Sequence, residues 1–211
     1  MEHSTPQPKR TSEVENADIA LGKELASQRD HPAVKAAGAA GKIGDQGPLY
    51  AISAALLCCG LFSRDRRVIG SGVAMLGAVA LADLTKRGVK ATVSRTRPHV
   101  LLDEQRYETE AGGSDKKPEQ SFPSGHTACS VAAARALSRN FPGAGIAAGI
   151  AALAIGVSRV AKGAHWPLDV LGGAVIGLTA EAISTRLLDS ARTAAGDGIP
   201  RRFRPILRRE R

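Results

Sequence analysis

The chain has 211 residues, enough for one domain with flanking tails, and its 29 Lys and Arg against 20 Asp and Glu give a net charge of +9. Such a balance suits nucleic acid, an anionic membrane surface or an anionic substrate. Aromatic residues are only 3% of the chain; with so few stacking platforms, nucleic acid drops out of the expected partners. Cys58, Cys59 and Cys129 have neither metal-site nor disulfide-framework spacing, and read as small buried hydrophobes.

Residues 1–48 read as a polar N-terminal tail. Met1 to about Asp30 has no apolar core of the kind a cleaved signal carries, and its charge suits a disordered or loosely helical segment. His31 to Gly47 is compatible with an interfacial helix, although Gly38, Gly41, Gly44 and Gly47 weaken it. Apolar runs follow at Leu49–Phe62, Val68–Leu84, Thr127–Leu137, Ala144–Val157 and Leu168–Leu188, so residues 49–188 form the expected domain. Only the last run comfortably reaches the ~20 residues that cross a bilayer. The mean hydropathy of −0.10 leaves a soluble helical bundle open. Residues 189–211 form a basic C-terminal tail with Arg201, Arg202, Arg204, Arg208, Arg209 and Arg211. That tail suits either a solvated end or a segment lying against anionic lipid.

Three charged stretches punctuate the runs. Six residues separate Lys90 from Arg97, with Pro98 directly after. Pro123-Ser124-Gly125-His126 opens the third run with a hydroxyl, a glycine amide and an imidazole. Ser158-Arg159 is followed after five residues by His165, and after three more by Asp169. One helical turn puts His165 and Asp169 on the same face, where the carboxylate is expected to hold Nδ1–H of the imidazole. Alone, a histidine and an aspartate at a helix start are more often a cap and a surface imidazole; three such stretches together are not so easily dismissed.

In this order the stretches resemble the type 2 phosphatidic acid phosphatase superfamily, the lipid phosphate phosphatases, with every signature position matched between about Leu49 and Leu188. In its small bacterial branch, similar to undecaprenyl-diphosphatases, the resemblance implies an all-α polytopic membrane bundle. Gly- and Ala-dense runs and aromatics at run ends (Tyr50, Phe62, Phe141, Trp166) point the same way. About five spanning helices are expected, with the active site at one membrane face. Counting runs puts all three stretches on that face. The Arg64–Arg67 loop and the Arg-rich C-terminus share the other, which the positive-inside tendency makes cytoplasmic. The expected location is therefore a bacterial inner membrane with the site outward, although six Lys and Arg up to Lys42 argue the opposite way.

Lys90, Arg97 and Arg159 offer positive charge to a phosphate, and Ser124 with the Gly125 amide offers a helix-start anion site. The resemblance implies His165 as nucleophile, Asp169 as its partner and His126 as the acid and base, by way of a phosphohistidine. The expected reaction is hydrolysis of a phosphate or diphosphate from a membrane lipid, such as an isoprenoid diphosphate, phosphatidate or phosphorylated lipid sugar. No cofactor and no metal is expected, because cations and histidines rather than converging carboxylates surround the site. Asp103, Glu104, Glu108 and Glu110 fall in a long charged segment, Pro98 to Pro123, read as a solvent-facing flap. His99, His31 and His3 are expected spectators. Asp83, Lys86 and Arg87 are expected to face headgroups, and Glu181 to be interfacial. Two other classes compete: a vanadate-dependent haloperoxidase-like oxidoreductase, and a non-catalytic membrane protein that binds lipid phosphate.

Overall fold

The computed structural model describes residues 12–194. The Arg201–Arg211 tail and His3 lie outside the described residues. Among the described residues eight α-helices run in chain order: α1 (Glu13–Ala26), α2 (Pro32–Ala40), α3 (Gln46–Ser63), α4 (Arg66–Lys90), α5 (Pro98–Glu104), α6 (Gly125–Ser138), α7 (Pro142–Ala161) and α8 (Pro167–Ala194). Their starts follow from local chemistry. Ser12 and Asp65 cap α1 and α4 by accepting first-turn N–H groups. Proline opens α2, α5, α7 and α8, where a missing N–H costs nothing.

Helices α3, α4, α6, α7 and α8 make the bundle, with α6 at its centre against α4, α7 and α8. Four of them, α3, α4, α7 and α8, are long and apolar enough to cross a membrane. The fifth, α6, has 14 residues, about 21 Å at 1.5 Å per residue. Its neighbours rather than its length bury it: Ala128, Cys129, Ala132 and Ala136 are fully enclosed.

Size is inverted relative to a water-soluble core. Ala78, Ala82, Ala132 and Ala136 are wholly buried, whereas Ile146, Ile150, Leu153 and Val157 on one stripe of α7 are each more than half exposed. Small residues inside let backbones approach closely, and large apolar residues outside suit hydrocarbon. Gly72 shows why: a Cβ there would stand 2.6 Å from the Leu57 backbone. The soluble-bundle alternative fails on this pattern, and the chain is an integral membrane protein.

The N-terminal segment departs from the tail expected for it. Helix α1 packs against α5, α7 and α8. Buried Asp18 takes a bond from Arg95 Nη2 at 2.6 Å and one from the Leu168 amide at 2.8 Å, capping α8 from another helix. Polarity that looked like solvent exposure is thus spent on bonds to the domain. The expected flap is also folded. Strand β1 (Val93–Arg95) pairs antiparallel with β2 (Thr109–Ala111), in register Val93 to Ala111 and Arg95 to Thr109.

Trp166 is fully buried rather than interfacial. Its indole N–H donates to the Thr96 carbonyl at 2.7 Å, and Tyr107 meets it edge-on with ring centroids 5.7 Å apart. Glu181 is likewise buried, not interfacial, and holds Arg139 through both carboxylate oxygens. A carboxylate inside a membrane bundle needs such a partner.

Candidate active site

The end of α4, the start of α6, the end of α7 and the start of α8 meet at one end of the bundle. Lys90, Arg97, Gly125, His126, Arg159 and His165 all line one cavity there of about 150 Å³, together with Gln46, Lys86 and Ala164. Six of the eight site residues expected from sequence therefore share a single cavity. The other two stand behind it. Ser124 is buried and caps α6, its Oγ 2.9 Å from Thr127 Oγ1 and 3.4 Å from the Thr127 amide. Asp169 is fully buried under His165.

Several cationic donors at the cavity have no acceptor among the described residues. Lys90 Nζ donates to the Gln120 carbonyl at 2.6 Å. Arg159 is buried, yet its Nε and Nη2 have no hydrogen-bond partner among the described residues, and neither has Arg97 Nε. Buried guanidinium donors without acceptors are costly unless an anion supplies them. Burial, with Arg159 beside it, lowers the pKa of Arg97; a guanidinium still keeps its charge at neutral pH.

The His165 environment differs from the expected one. Nδ1 lies 2.7 Å from the Ser121 carbonyl oxygen, whereas the Asp169 carboxylate is 3.7 Å away. A carbonyl only accepts, so Nδ1 carries the proton and Nε2 keeps its lone pair. Burial, with Arg97 and Lys90 nearby, lowers the His165 pKa, and Asp169 opposes the shift. Asp169 instead organises the shell. It accepts from Arg95 Nη1 at 2.9 Å, Ser121 Oγ at 2.5 Å and the Trp166 amide at 2.7 Å. Arg95 also stacks over Trp166 at 5.5 Å. The contact expected between residues four apart on a helix is weakened because His165 precedes α8 rather than lying in it.

His126 is held down to about 4 by burial and by Arg159. Asp45 Oδ1 stands 2.6 Å from its Nε2. Lys86 does not face headgroups: it is buried, paired with Asp83 at 2.8 Å and bonded to Gln46 Oε1 at 2.9 Å. Arg95, Ser121, Lys86 and Asp45 were missed from sequence. A buried arginine two residues before Arg97 gives no signal of its own, and Asp45 lies 81 positions from His126.

His99 does not line the cavity, and its Nδ1 is 3.1 Å from the Gly163 carbonyl. His31 caps α2. Asp103 is exposed and pairs with Arg29 at 2.5 Å. Among the described residues, no group of three or more His, Cys, Asp or Glu side chains is placed to hold a metal ion.

Two imidazoles and a set of cations thus stand about one small cavity at one end of a membrane helical bundle. Residues 71–192 match the PAP2 superfamily, and the chain belongs to it; that membership places it among the lipid phosphatases. The fold is similar to that of LpxE from Aquifex aeolicus, with a TM-score of 0.60, 23% identity, 80% of this chain and 94% of that one covered. It is also similar to the first transmembrane PAP2-type phosphatidylglycerolphosphate phosphatase from Bacillus subtilis, with a TM-score of 0.57, 23% identity, and 86% and 89% covered. No curated protein matches the chain.

Proposed function

We propose that the protein hydrolyses a phosphate or diphosphate end from a membrane lipid through a phosphohistidine on His165, without a metal. The observation that carries this reading is the bond from His165 Nδ1 to the Ser121 carbonyl, because it leaves the Nε2 lone pair on a residue that lines the cavity. In the first step the Nε2–P bond forms and the P–O bond to the lipid breaks, with the His126 proton passing to the leaving oxygen. In the second a water oxygen bonds to phosphorus and the Nε2–P bond breaks. His126 takes the water's proton, and inorganic phosphate leaves.

Lys90, Arg97, Arg159 and the Gly125 amide are the groups that stabilise charge spread over the phosphoryl oxygens. Asp169 positions the shell and offsets the charge that develops on His165. The end of the bundle away from the cavity carries Arg66, Arg139, Arg186 and Arg192 around a cleft. By the positive-inside tendency this supports a cytoplasmic face there and an outward site, in a bacterial inner membrane.

Detergent-purified protein offered a panel of lipid phosphates in EDTA tests the reading. Phosphate release is expected, lost in His165→Ala and kept in His99→Ala. Release that vanishes with chelator, or that survives His165→Ala, would overturn it.

A further inference from the structure

Asp45 occupies the N-cap position of α3, with φ −66° and ψ 152°. An aspartate there ordinarily accepts an N–H of the first turn, which is worth ~1 kcal/mol. This one makes no such bond. Its carboxylate turns instead to His126, 2.6 Å from Nε2.

The preceding turn is fitted against the bundle to bring it there. A Cβ on Gly44 would stand 2.7 Å from Ser130 Oγ, and one on Gly41 would stand 3.1 Å from Ser158 Oγ. Glycine is what lets this backbone lie on α6 and α7. The turn falls outside residues 71–192, the stretch matched to the family.

The cavity groups divide into two sets. Lys90, Arg97 and Arg159 have no carboxylate within 4.0 Å among the described residues, enough positive charge for one terminal phosphoryl. Lys86 is neutralised by Asp83, and His126 faces Asp45. A leaving group next to His126 therefore meets an imidazole backed by a carboxylate, not a further free cation.

We propose that Asp45 is a specificity-determining residue that fits this site to phosphate monoesters of lipid alcohols and against lipid diphosphates. The inference rests on the hydrolase reading above. An alcohol leaves only with a proton, and a carboxylate beside an imidazole favours its protonated, proton-giving form. A phosphate leaving group, whose second pKa is ≈ 6, needs no such help. It also brings its own negative charge toward Asp45, and like charges juxtaposed are disfavoured.

The other groups facing His126 are Lys86 from α4, Arg159 from α7 and His165 ahead of α8, and each opposes the imidazolium. Asp45 is the one that favours it, and a bound phosphoryl adds to its effect.

The test compares the full chain in detergent with Asp45→Asn and Asp45→Glu on phosphatidic acid, a prenyl diphosphate and p-nitrophenyl phosphate. The wild type is expected to favour phosphatidic acid over the diphosphate by about tenfold or more in kcat/KM. Asp45→Asn is expected to narrow that ratio by about tenfold and to move the alkaline limb of kcat on phosphatidic acid to lower pH. The p-nitrophenyl ester, whose leaving group needs no proton, should keep its rate, and Asp45→Glu should restore most of the ratio. A wild-type preference for the diphosphate, an unchanged ratio in Asp45→Asn, or an equal gain on both lipids would overturn the inference alone. No release from any substrate by the wild type would overturn the hydrolase reading and this inference with it.

Discussion

Asp169 and Arg95, 74 positions apart in the chain, form a buried ion pair at 2.9 Å directly beneath His165. Arg95 extends the pair to Asp18 in α1 at 2.6 Å. One guanidinium thus ties the N-terminal helix, the β1 strand and the start of α8 to the histidine.

Asp169→Asn should therefore act on stability as well as on rate. Breaking a buried pair by removing one charge costs about 3–5 kcal/mol, because the partner is left uncompensated. Asp18 still holds Arg95, so the lower end of that range is expected, read as a fall in the thermal unfolding midpoint in detergent. An unshifted midpoint would mean that Asp169 acts on His165 alone.

Asp18→Ala gives a separate expectation. It removes one Arg95 partner and the acceptor for the Leu168 amide. A lost cap alone costs ~1 kcal/mol. Phosphate release should fall and KM should rise, although Asp18 touches no cavity residue's reacting atom. Unchanged kinetics with normal folding would show that α1 is only an attachment.

The pH profile follows from the histidine environments. Burial lowers the His165 pKa, so its Nε2 lone pair persists as pH falls below the ordinary 6.5. The acid limb of kcat/KM should lie below pH 6.5. An acid limb above that value would contradict the lowered His165 pKa.

Stability has a matching sign. The His126 pKa is lowered from 6.5 to about 4, so over that interval the unfolded chain binds more protons than the folded one. The contribution is fully present above pH 6.5 and is lost as pH falls toward 4. His126→Gln should flatten the dependence of unfolding on pH across this window. A slope identical to the wild type would place the acid sensitivity elsewhere.

Lys90→Ala and Arg159→Ala test the anion site without touching the histidines. Each removes a cation lining the cavity. Losing one preorganised electrostatic donor costs about 10²–10³-fold in kcat. Steady-state phosphate release measures it, and a loss confined to KM would indicate binding without transition-state stabilisation.

Much of this was legible in the chain itself. Lys90, Arg97, Gly125, His126, Arg159 and His165 stand at fixed offsets from apolar runs, and run counting brings them to one end of a bundle. The pattern works because a helix that crosses a membrane reverses direction at a known place. Trp166, Glu181 and Lys86 were misplaced for a related reason: an amphipathic or charged side chain near a run end has the same sequence signature whether it faces headgroups or a neighbouring helix.

Sequence by itself determined the five bundle helices and the end of the bundle at which the three charged stretches meet. Only tertiary structure decided that Ser121 rather than Asp169 holds the His165 proton, that Asp169 belongs to Arg95, and that Asp45 reaches His126. Local spacing fixes which face of a helix a residue occupies. It carries no information about which distant carbonyl or carboxylate will lie opposite, because that depends on how closely glycine and alanine let the backbones approach.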